Sequence, residues 1–128
     1  MHSEELVNNI AQAIIKMEGG EKPSSINQQL VKKYNVWNVG HLVWAHQRGA
    51  KAYMLNRLWA GWPTRAESVD GVRRQVKLDI NNNHTLTSLI SKYAPASENN
   101  TKTYIRFVSS QAGIDPLIKL KELIDDGE

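Results

Sequence analysis

Residues 3–20 read SEELVNNIAQAIIKMEGG. Leu6, Ile10, Ala13, Ile14 and Met17 recur at three- and four-residue spacing, which puts them on one face of a helix over residues 4–17. Ser3 fits an N-cap, and Glu4 and Glu5 fall in the first turn, where the positive end of the helix dipole favours them. Gly19-Gly20 closes the helix, because glycine enters the left-handed conformation without a Cβ clash. Glu18 is therefore expected at, or next to, the last helical residue.

The chain outward from this stretch is mostly helical. Residues 25–34 suit a short helix, with Ile26, Leu30 and Tyr34 inward. Residues 37–62 carry β-favouring aromatics broken by Gly40 and Gly49, followed by Gly61 and Pro63, and predict a small irregular β region. Thr64-Arg65-Ala66-Glu67 matches a capping box, and Val69, Val72, Val76 and Ile80 line one face of the helix behind it. Gly71 costs that helix about 1 kcal/mol of propensity against alanine, but its small size would allow close helix packing. Asn81-Asn82-Asn83 ends the helix. Thr85 caps a short helix to Lys92, and Pro95 breaks the chain. Asn100 caps a helix over residues 101–112, with Tyr104, Ile105 and Val108 as its stripe and Gly113 as its stop. Asp115-Pro116 should start a last helix, residues 117–124, ahead of an acidic tail at about 125–128. The expected class is mainly α (α+β): one helical domain over residues 1–128, with a small irregular β region after the first helix. A length of 128 residues fits the roughly 100–200 of a single domain.

Composition narrows the function classes. The chain is 41% apolar, enough for a core, and has no cysteine, so disulfides, thiolate metal sites and cysteine nucleophiles are excluded. No apolar run approaches the ~20 residues of a membrane span. The start, Met1-His2-Ser3-Glu4-Glu5, is acidic where a secretion signal is basic. The net charge of +3 is unevenly spread. Residues 22–66 hold no Asp or Glu, yet carry Lys22, Lys32, Lys33, Arg48, Lys51, Arg57 and Arg65 together with all four tryptophans, Trp37, Trp44, Trp59 and Trp62. A basic, Trp-rich middle suits an anionic or sugar-bearing partner: nucleic acid, cell wall or an anionic membrane surface.

Two places carry candidate chemistry. A carboxylate at a helix C-terminus faces the negative end of the dipole, which favours its protonated form. Apolar neighbours such as Ile14, Ile15 and Met17 act in the same direction. A carboxylic acid is what general-acid cleavage of a glycoside needs, and Glu18 is placed for it. A solvated Glu before a glycine stop is the plain alternative. The second place is the loop between Tyr93 and Tyr104, which contains Ser97, Glu98 and Asn99. Read plainly it is an interhelical turn; its aromatics and polar groups also suit a sugar ring. The histidines, His2, His41, His46 and His84, have no metal-like spacing and read as surface or loop residues. No metal or cofactor is expected.

These motifs, in order, resemble a phage and bacterial branch of the lysozyme-like superfamily, the lytic transglycosylase-like and muramidase-like domains. The matching residues are Glu18-Gly19, Asn38-Val39-Gly40-His41-Leu42, Trp62-Pro63-Thr64, and the block from Tyr93 through Ala94-Pro95 and Glu98-Asn99-Asn100-Thr101 to Tyr104. The resemblance implies a mostly helical fold in which Glu18 is the acid on the glycosidic oxygen of peptidoglycan. It also implies that Asn38, Gly40, Tyr93, Ser97, Glu98, Asn99 and Tyr104 line the substrate cleft. The partner it implies is the peptidoglycan glycan strand, attacked at the MurNAc-GlcNAc bond by a protein released from a virion or host cell. The family's Asn-Asn-Pro-Gly-Asn-Leu is here Val36-Trp37-Asn38-Val39-Gly40-His41-Leu42, with the proline lost and histidine in place of asparagine.

The carboxylate-free stretch bears on mechanism. A two-carboxylate glycosidase holds its partner carboxylate ~5–10 Å from the acid. None can come from residues 22–66. This favours a transglycosylase-like reaction in which Glu18 is acid and then base. Hydrolysis with Glu21, Glu67, Asp70 or Glu98 as the second group is the other route. A catalytically weak or inactive virion or wall-binding protein is the alternative function, and a nucleic-acid-binding module stands third.

Overall fold

The structure is a computed structural model that describes residues 1–19, 22–94 and 100–125. Its described residues form α1 (Ser3–Glu18), α2 (Ile26–Tyr34), β1 (Lys51–Met54), β2 (Leu58–Gly61), α3 (Arg65–Asn81), α4 (Leu86–Tyr93), α5 (Thr101–Ala112) and a 3₁₀ turn (Leu120–Leu123). The fold is mainly helical with a small antiparallel hairpin. The chain divides into two compact units, Ile14–Arg74 and Met1–Ala13 with Gln75–Glu128, and α1 and α3 contribute residues to both.

In the unit Ile14–Arg74, α2 begins where the Ser25 hydroxyl accepts from the Gln28 N–H. It ends at Asn35, whose φ of 58° turns the chain out of the helix. The β region is smaller than residues 37–62. β1 and β2 pair in the register Lys51↔Gly61, Ala52↔Ala60, Tyr53↔Trp59 and Met54↔Leu58. Isolated bridges add Trp37 opposite Trp62 and Val43 opposite Trp59. Leu30, Val36 and Trp59 form one buried cluster, flanked by Ile26, Tyr34, Tyr53 and Leu55.

Trp62 is the largest fully buried side chain here. Its indole N–H donates to the Arg48 carbonyl at 3.0 Å, and the Arg74 guanidinium donates to the same oxygen. Gly71 exists because of this indole. A Cβ at residue 71 would lie 2.5 Å from Trp62 Cζ2, so the close packing expected for Gly71 is against a tryptophan rather than a helix. Gly71→Ala is therefore expected to destabilise the protein. The overlap costs about 1–3 kcal/mol, which outweighs the ~1 kcal/mol of propensity gained. A urea midpoint above the parent's would refute this.

In the unit Met1–Ala13 with Gln75–Glu128, α1 places Leu6, Val7, Ile10 and Ala11 in the core with Val76, Ile80, Leu86, Leu89, Ile90, Val108 and Leu120. Ser3 lies inside α1 and not at its cap, since the Leu6 N–H donates to the His2 carbonyl. The caps of α4 and α5 are as expected. Thr85 and Ser88 form a reciprocal capping box, and Asn100 accepts from the Thr103 N–H. Gly113, at φ 68°, ends α5.

The expected helix over residues 117–124 is reduced to the 3₁₀ turn. Its backbone is already engaged. Thr87 N–H donates to the Pro116 carbonyl, Leu120 N–H donates to the His84 carbonyl, and Lys119 bridges Thr85. Those bonds keep the segment out of an α-helix, and Leu117 stays 76% exposed.

Candidate functional site

α1 ends at Glu18 because Gly19 takes φ +60° and its N–H donates back to the Ile15 and Lys16 carbonyls. The carboxylate is thereby carried at the helix C-terminus, as the periodicity implies. Gly20 and Glu21 lie outside the described residues.

The 38–42 loop supplies the other half of the site. Three buried polar side chains from separate segments fix it. Asn27, on α2, accepts from the Asn38 N–H at 2.7 Å. Ser68, on α3, accepts from the Val39 N–H at 2.8 Å. Asn38 itself clasps Leu42, accepting from its N–H at 2.8 Å and donating to its carbonyl at 2.9 Å. Buried polar groups must be paired, and here each pairing also sets the path of the loop. The result is a turn that holds His41 at φ 52°, a conformation costing roughly 1 kcal/mol in a residue with a Cβ.

His41 is thus aimed at Glu18. Its Nδ1 lies 2.9 Å from Glu18 Oε1, with the side chains only 13% and 16% exposed. Its Nε2 is buried and has no hydrogen-bond partner among the described residues. The proton in this contact can sit on either partner: a carboxylic acid donates to a bare Nδ1, and an Nδ1–H donates to a carboxylate.

The structure brings Glu18, Asn38, Gly40 and His41 into one unit and changes the reading of three of them. His41 is not a free loop histidine but the partner of Glu18. Asn38, expected in a substrate cleft, is 0% exposed and its amide is used up on Leu42. Gly40 is buried in the same turn. One residue expected to bracket the sugar also differs. Tyr104, expected to bracket a sugar, is buried in the core at 2% exposure. Tyr93 is half-buried at the end of α4. Ser97, Glu98 and Asn99 lie outside the described residues.

The sequence reading missed a second buried carboxylate. Asp79, on α3, is fully buried and bonded to the Lys92 ammonium. The Gln75 amide donates to both its oxygens, and His84 Nε2 stands 4.0 Å away. It ties α3 to α4. An acid directly before the stripe residue Ile80 was the available signal. Among the described residues, no group of three His, Cys, Asp or Glu is placed to hold a metal ion. None of their helices is long and apolar enough to cross a membrane. No protein family, no curated protein and no solved structure matches this chain.

Proposed function

We propose that the protein cleaves the glycan strands of peptidoglycan, with Glu18 as the acid and then the base. The observation that carries the reading is the Glu18–His41 pair: a largely buried carboxylate at the end of α1 with an imidazole nitrogen 2.9 Å from it. A proton passes from Glu18 to the glycosidic oxygen as the C1–O bond breaks. The carboxylate left behind accepts a proton from the group that next attacks C1, either a hydroxyl of the same sugar or a water. His41, in contact with the carboxyl group, holds it in place through both steps. The carboxylate-free stretch 22–66 supports attack by the sugar's own hydroxyl, which yields an anhydro product.

Purified peptidoglycan incubated with the protein should release soluble muropeptides, and mass spectrometry should find them with anhydro ends. Reducing ends would keep the activity and replace the mechanism by hydrolysis. Binding to the insoluble wall with no release would replace catalysis by a wall-binding role.

A further inference from the structure

The unit Ile14–Arg74 carries ten Lys and Arg against four acids, a net charge of +6, whereas the unit Met1–Ala13 with Gln75–Glu128 nets −3. The four acids of the cationic unit all lie outside residues 22–66. Three of them are in the described residues and are engaged: Glu18 meets His41, Glu67 accepts from the Thr64 hydroxyl, and Asp70 pairs with Arg73. Part of the positive charge is gathered on one face of the hairpin. Alternate residues of a strand share a face, so Lys51 and Tyr53 point the same way from β1. Tyr53 stands opposite Trp59, and directly opposite residues share a face too. The Tyr34 ring of α2 packs on Tyr53, with centroids 5.0 Å apart. Lys33 Nζ lies 5.2 Å from the centroid of the Tyr34 ring, and the Arg57 guanidinium 5.7 Å from that of Trp59. Lys33, Lys51 and Arg57 are exposed. Rings and cations thus form one connected set where α2 meets the hairpin.

The rings place the cations but offer no platform of their own. Trp59 is buried, Tyr34 and Tyr53 are half-buried, and the Tyr34 hydroxyl donates to the Met54 carbonyl. A single-stranded nucleic acid is gripped by stacking its bases on open rings. This face has the cations without such rings. It suits a polymer whose charge runs along its backbone and which has no bases to stack. We infer that this face docks on phosphodiester polymers of the polyol-phosphate type attached to bacterial walls, with Lys33, Lys51 and Arg57 meeting the phosphates. Such docking holds the unit that carries Glu18 beside the glycan strand. The choice of a wall polymer rests on the glycan-cleaving reading; the cationic face does not.

The test is sedimentation with wall fragments that bear polyol-phosphate chains, and with the same fragments stripped of them by hydrofluoric acid. Binding should be at least about tenfold tighter to the intact fragments. It should weaken roughly 20-fold between about 50 and 200 mM salt, as three phosphate contacts on a single chain require. Joint Lys33→Glu and Lys51→Glu should weaken it by at least about tenfold at an unchanged melting temperature. If that variant melts early, the two kinds of fragment and the salt series still decide. Equal binding to intact and stripped fragments overturns the inference, as does binding that ignores salt. A single-stranded DNA probe that displaces the protein from intact fragments at equal phosphate concentration would assign the face to nucleic acid instead. Release of muropeptides from stripped fragments tests Glu18 separately, so either reading can fail without the other.

Discussion

Trp62→Ala should unfold much of the population at moderate denaturant. The side chain is fully buried, and truncating such a residue costs about 3–5 kcal/mol. The whole stability of a domain is about 5–15 kcal/mol. The loss has a polar part too, because the Arg48 carbonyl would lose the indole N–H while keeping the Arg74 guanidinium. Trp62→Phe separates the parts. It keeps most of the ring, so its cost should stay near 1–2 kcal/mol. Urea titration of both variants gives the comparison. If Trp62→Ala costs less than about 1 kcal/mol, the site collapses around the cavity and Trp62 is not the centre of its unit.

Glu18→Gln should leave folding intact and reduce glycan release by at least about a hundredfold, the usual share of a general acid–base group. Glutamine keeps the size and can still meet His41, but has no proton to give. His41→Asn is the companion variant. Asparagine tolerates the left-handed backbone, so stability should hold while the rate falls. Equal release by parent and Glu18→Gln would remove Glu18 from the chemistry. A His41→Asn protein that melts early would make the imidazole a structural clamp.

Periodic and capping signals were easy to read. The face of α1, its glycine stop, and the caps Thr85 and Asn100 all depend on residues within one or two turns of each other. What escaped depends on distant partners. Glu18 and His41 are 23 residues apart, and their meeting needs Asn27 and Ser68 to hold the 38–42 loop. Neither is distinctive by type. Residues 117–124 mislead for the same reason: their apolar spacing suits a helix, but the backbone of 84–87 claims their hydrogen bonds. Gly71 was read as a helix contact because nothing local marks Trp62 as its neighbour.

The placement of the tryptophans makes the molecule its own spectroscopic label. All four lie between residues 37 and 62, inside the unit Ile14–Arg74. The other unit has only Tyr93, Tyr104 and Phe107 as aromatic rings. Emission excited at the red edge of indole absorption therefore follows one half of the chain alone, whereas backbone ellipticity follows the helices of both. Two melting curves from one cuvette then measure how far the halves share a single cooperative transition.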